Sequence, residues 1–99
     1  MKIPKSFQLH GRSIQVAYDP DLVFKNDLAG CAAYREDRIY LQPSTKGHSV
    51  TQKSIEQTFC HELAHWLLHM AGEHELNSNE KFIDVLSGLL HQYFTTSKT

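Results

Sequence analysis

His61-Glu62-Leu63-Ala64-His65 lies inside a segment, residues 49–71, whose apolar side chains recur at helical spacing. Ile55, Phe59, Leu63, Trp66 and Met70 make one continuous stripe, flanked by Ala64, Leu67, Leu68 and Ala71. At about 100° per residue, His61, His65 and His69 fall together on the remaining face. Thr58 lies near them, and Glu62 lies between that face and the core stripe. Imidazoles at positions i and i+4 sit one turn apart and can hold one zinc ion. A glutamate beside the first can take a proton from water on that ion. The apolar neighbours Phe59, Leu63, Trp66 and Leu67 limit water around the group and strengthen charge interactions there.

Ser49 with Gln52 has the form of a capping box that opens this helix, and Gly72 follows its end. A second helix is expected from about Asn79 to Phe94. Ile83, Leu86, Leu90 and Tyr93, joined by Phe82, Val85 and Leu89, give it a broad apolar face, with Glu80, Asp84, Ser87 and His91 along one edge. A catalytic zinc takes three protein ligands and keeps one open position. Glu80, at the start of the second helix, is the expected third ligand, because the connection 72–79 is long enough to fold that helix back beside the first. The competing reading makes Asn77 an N-cap and Glu80 the far end of its capping box. His69 and His74 are the other candidates. A straight helix cannot aim His61, His65 and His69 at one ion, since the outer two stand about 12 Å apart along the axis. Asp84 is placed to support a ligating imidazole by accepting its second N–H. Cys60, rotated by about 100° from His61, reads as a small buried thiol, and Cys31 as structural.

Upstream of His48 the pattern alternates as strands do. Residues 7–10 and 13–18 flank a turn at Gly11-Arg12, and 32–34 and 38–41 flank Arg35-Glu36-Asp37. Leu22 to Leu28 fits a short helix or a loop. The expected fold is α+β, in one domain over residues 1–99. A small antiparallel sheet of three to four strands occupies 1–48, two main helices occupy 49–95, and 96–99 form a polar tail. The strand Arg38–Gln42 is expected at a sheet edge.

Ninety-nine residues with ten Lys and Arg against eleven Asp and Glu carry almost no net charge, so no polyanion partner is expected and nucleic acid is disfavoured. No apolar run is long enough for a bilayer, and Met1-Lys2-Ile3-Pro4-Lys5 is followed by no hydrophobic segment. A cytoplasmic location with two free thiols is the expectation.

Thr58-Phe59-Cys60-His61-Glu62-Leu63-Ala64-His65, with Asn79-Glu80-Lys81-Phe82-Ile83-Asp84-Val85-Leu86 after it, resembles the gluzincin metallopeptidases. The likeness is greatest to minimal, phage- and mobile-element-type members related to the ImmA/IrrE peptidases. The resemblance implies a zinc-dependent endopeptidase with His61, His65 and Glu80 as metal ligands and Glu62 as catalytic glutamate. It also implies a small antiparallel sheet ahead of the zinc helix. The sequence departs from those relatives in having Glu80-Lys81-Phe82-Ile83-Asp84 where a Glu-Ala-Asn-like signature is common.

The reaction expected is peptide-bond hydrolysis by a zinc-bound water with Glu62 as general base. An extended peptide or protein substrate would add along Arg38–Gln42. Tyr40, His91 and Tyr93 are open candidates for a group that stabilises the oxyanion. The alternative is a zinc-stabilised interaction module without turnover, its fourth position closed by His69 or His74.

Overall fold

A computed structural model describes residues 1–99, which form a four-stranded sheet followed by helices. The first hairpin pairs β1 (Ser6–Leu9) with β2 (Arg12–Tyr18) in antiparallel register. Its two-residue turn is His10-Gly11, one position earlier than the sequence suggests, with φ of 50° and 78°. Paired positive φ values match the twist of the flanking strands, and glycine accepts them without strain. A short helix, α1 (Leu22–Asn26), leads into β3 (Gly30–Ala33). A single 3₁₀ turn at Tyr34–Glu36 then returns the chain through β4 (Arg38–Leu41).

The strand order is β1-β2-β4-β3, and β4 runs parallel to β2 but antiparallel to β3. The sheet is therefore mixed, not purely antiparallel as expected. The expectation that Arg38–Gln42 is an edge strand is also corrected, because β4 is paired on both sides. The burial of its side chains explains why. Ile39 and Leu41 are fully buried, and a strand so deep in the fold needs partners for the backbone groups on both its flanks. The free edges are β1 and β3.

Helix α2 (Gln52–Met70) lies against the sheet. Ile14, Ile39 and Leu41 from the strands meet Ile55, Phe59, Cys60 and Trp66 from the helix in one core cluster. Full burial contributes about 1.5–3 kcal/mol for each large aliphatic or aromatic side chain. The Trp66 Nε1–H donates to the Arg38 carbonyl at 3.1 Å, so the indole is buried without an orphaned donor. The N-cap is Thr51, whose side chain accepts from the Ser54 N–H, in place of the Ser49 capping box. At the other end, Gly72 takes φ of 74°, the Glu73 N–H reaches the Leu68 carbonyl and the Gly72 N–H the His69 carbonyl. That is a Schellman termination.

The connection holds a single helical turn, α3 (His74–Asn77), before α4 (Glu80–Thr96) packs back on α2. The broad apolar face expected of α4 divides in two. Ile83, Ser87 and His91 are buried towards α2, whereas Phe82, Val85, Leu89 and Tyr93 are exposed. His91 Nε2 meets the Glu56 carboxylate at 3.2 Å, which gives this buried imidazole a partner on α2. No helix is long and apolar enough to cross a membrane.

Candidate metal centre

The turns around α4 decide where Glu80 points. Asn79 is the N-cap, its Oδ1 accepting from the Phe82 N–H at 3.1 Å, so Glu80 is the first helical residue. The capping box from Asn77 to Glu80 does not form. Both side chains are released from capping and turn towards α2.

His61, His65 and Glu80 meet there, with one potential ligand atom from each lying within 4.8 Å of the others. His61 Nε2 stands 3.4 Å from Glu80 Oε2, and His65 Nε2 stands 3.4 Å from Glu80 Oε1. Ligand atoms held tetrahedrally at about 2.0–2.1 Å from zinc are about 3.3–3.4 Å apart. The donor set and its spacing therefore fit a divalent metal ion of the nitrogen- and oxygen-binding class.

The outer nitrogens of both rings are engaged. His61 Nδ1 lies 3.3 Å from Asp84 Oδ1, one turn along α4 from Glu80, as the sequence suggests for Asp84. His65 Nδ1 lies 2.7 Å from Asn77 Oδ1. The Asn77 amide is itself oriented, because its Nδ2 donates to the Tyr34 hydroxyl at 3.0 Å. An acceptor at Nδ1 places the ring proton there and leaves the Nε2 lone pair free, the arrangement a metal-ligating imidazole needs. Burial pushes the Tyr34 hydroxyl above the ordinary phenol range, against the Asn77 hydrogen bond, so it stays protonated.

His69 does not join this group. Its ring stacks on Tyr34 at 3.9 Å between centroids and meets the edge of Trp66, which makes it a packing residue. His74 lies 6.3 Å from His69, centroid to centroid, outside the ligand cluster.

Glu62 is only 8 % exposed. Burial is the main cause that raises its carboxyl above the usual range, with Glu80 adding to it. His61, His65 and the Ala32 backbone amide pull the other way. Strand β3 presses closely on this carboxylate. A Cβ at Gly30 would stand 2.5 Å from Thr58 Cγ2 and 3.1 Å from Glu62 Cγ, so only glycine allows the approach. The Gln42 N–H donates to the Ala29 carbonyl, and with Cys31 opposite Tyr40 this fixes the alternation. The backbone groups of Gly30 and Ala32 face off the sheet. A cleft of about 530 Å³ opens beside His61 and Glu62, between the segment 27–30, α2 and α4.

None of Tyr40, His91 and Tyr93 reaches the metal-ligand cluster. The Tyr40 hydroxyl bonds Glu36, His91 is held by Glu56, and Tyr93 is exposed. Cys60 is fully buried and its thiol is pushed up to about 11 by that burial, in keeping with a packing role. The residues that sequence reasoning misses are Asn77, Tyr34 and Gly30. For Asn77 the signal was present, since Asn77 and Asn79 compete for one cap and the loser is free for another task. Tyr34 and Gly30 carry no local signal, because their partners lie on distant segments.

Comparison of the chain with family models, curated proteins and solved structures finds no match.

Proposed function

We propose that this chain is a zinc-dependent metallopeptidase of the gluzincin type, hydrolysing a peptide bond with Glu62 as general base. One observation carries the reading. A buried carboxylate with a raised pKa stands next to a His-His-Glu donor set, and no ligand role requires it. A zinc ion held by His61, His65 and Glu80 would supply Lewis acidity and lower the pKa of water in its open position. Glu62 takes the proton released in the attack and returns it to the departing amine. Asp84 and Asn77 keep the two imidazoles aimed. Strand β3, not the interior β4, is the edge on which an extended substrate can add, through the outward backbone groups of Gly30 and the Ala32 carbonyl.

The uncovered apolar face of α4 favours a second reading, a metal-stabilised interaction module without turnover. Glu62 separates the two, since a purely structural metal has no use for it. The test is cleavage of an unfolded protein mixture by zinc-loaded wild type and Glu62→Gln. The peptidase reading expects both to bind zinc stoichiometrically and the variant to lose at least about a hundredfold in rate. Equal rates in the two proteins, or no cleavage by wild type, would favour the interaction module.

A further inference from the structure

Helix α4 turns only one side to the rest of the protein. Ile83, Ser87 and His91 are buried against α2. On the opposite side Phe82, Val85, Leu89 and Tyr93 share a sector about 80° wide, at about 100° per residue. Val85, Leu89 and Tyr93 are 58 %, 61 % and 64 % exposed, and Phe82 is 37 % exposed. From Val85 to Thr96 the helix carries no Asp, Glu, Lys or Arg. Large apolar side chains with charge kept out from among them have the composition of an interface centre, and the exposed Lys81 and Gln92 border the stripe as a polar rim.

The area decides whether such a stripe can hold two chains together. Aromatic side chains present about 150–250 Å² each and aliphatic ones somewhat less, so at these exposures the stripe offers on the order of 400 Å² of apolar surface. Two copies would cover about 800 Å² between them, and a polar rim of roughly two-fifths brings the interface to about 1,300 Å². That clears the about 1,000 Å² that a specific association requires and lies at the lower end of the standard size.

Charge selects the arrangement. Lys81 pairs with no acid of its own chain, and the last turn of α4 carries no basic side chain, Lys98 standing beyond the helix end. In an antiparallel pair with a two-fold axis near the middle of the stripe, each Lys81 meets the negative end of its partner's helix dipole. A parallel pair would set the two lysines side by side. A net charge close to zero leaves two copies little overall repulsion to overcome. We propose that the exposed face of α4 is a self-association surface on which a second copy of this chain packs its own α4 antiparallel, with Phe82, Val85, Leu89 and Tyr93 at the centre. The interface goes beyond the peptidase reading and does not rest on it.

Sedimentation of the full 99-residue protein over a micromolar to submillimolar range tests this. The expected result is a monomer–dimer equilibrium with a dissociation constant in the micromolar range, and a melting temperature that rises with protein concentration. Leu89→Glu sets two like charges in the contact and should raise that constant at least about a hundredfold, with helix content and zinc content unchanged. Lys81→Gln should weaken the dimer about three- to tenfold at low salt, whereas tighter association of that variant would overturn the antiparallel pairing. A wild type that stays monomeric throughout, or a dimer that Leu89→Glu leaves intact, overturns the proposal. So does a monomer that floats with phosphatidylcholine–phosphatidylglycerol vesicles, which would give the face to a membrane surface. Cleavage by the protein at concentrations where it is monomeric or dimeric bears on the peptidase reading alone.

Discussion

Asn77 Oδ1 lies 2.7 Å from His65 Nδ1, and through its Nδ2 the same amide is tied to Tyr34 on the sheet side of the molecule. The relationship fixes the tautomer and the direction of His65 from a one-turn helix that contributes nothing to the His61, His65 and Glu80 group itself. Replacing a partner of this kind costs about 10–100-fold in metal affinity. Asn77→Leu should show that loss in competition with a chromophoric chelator. Asn77→Asp, which retains the acceptor, should recover most of it. Equal zinc affinity in wild type and Asn77→Leu would mean that His65 needs no such support.

Glu62 predicts a pH dependence of folding in the metal-free protein. Its native pKa is raised chiefly by burial, while in the unfolded chain it returns to the ordinary carboxylate value. As pH climbs between these two, the unfolded chain has released its proton and the native state still holds one. Stability therefore falls through that window, and the full penalty remains above it. The Glu62→Gln variant lacks this penalty. In the presence of a chelator it should melt above wild type at about pH 8, and the gap should close at about pH 4. Calorimetric scans at the two pH values provide the check, and a gap independent of pH would show that the charge of Glu62 is not what costs stability.

How much of this was legible in the sequence follows from the range of each interaction. The His61 and His65 pair, the core stripe of α2 and the Gly72 termination are set by spacing along one helix, and spacing is what a sequence displays. Glu80 and Asp84 were readable because they share an edge of α4 one turn apart. The sheet order was not readable. Nothing local in Arg38–Leu41 says that β3 pairs outside it, and only the burial of Ile39 and Leu41 in three dimensions explains its interior place. The bond from Asn77 to His65 was not readable, because Asn77-Ser78-Asn79-Glu80 offers two caps of similar local quality. The winner, Asn79, also leaves Glu80 free to face both imidazoles.

Gly30 tests whether the contact between β3 and α2 matters. A methyl group there would meet Thr58 Cγ2 at 2.5 Å and the Glu62 side chain at 3.1 Å. Thr58 cannot simply swing clear, because its Oγ1 donates to the Ser54 carbonyl at 3.0 Å. Either the strand retreats or Glu62 is displaced from beside the ligands. Gly30→Ala should cost about 1–3 kcal/mol of stability by overpacking and reduce peptide cleavage more than zinc affinity, since neither His61 nor Glu80 is touched. Chemical denaturation and chelator competition on the same preparation separate the two effects.

Gln42 is 3 % exposed, and its amide is spent mainly on the connection between β2 and β3. Its Oε1 accepts from the Val23 N–H at 2.7 Å, and its Nε2 donates to the Pro20 carbonyl at 2.9 Å and to the Pro43 carbonyl at 3.1 Å. This one side chain holds α1, and with it the segment that delivers Asp27 and Gly30 to the cleft. Leucine has a similar volume but can make none of these bonds, so Gln42→Leu strands a buried backbone donor and loosens α1. A loss of about 1–3 kcal/mol follows from the unsatisfied groups. The proposed metal ligands come from α2 and α4, which Gln42 does not touch, so zinc affinity should stay at the wild-type value. Peptide affinity should fall, because the wall formed by residues 27–30 is no longer fixed. A Gln42→Leu protein that loses zinc affinity in proportion to its stability would instead mean that the metal centre and the α1 connection fold as one cooperative unit.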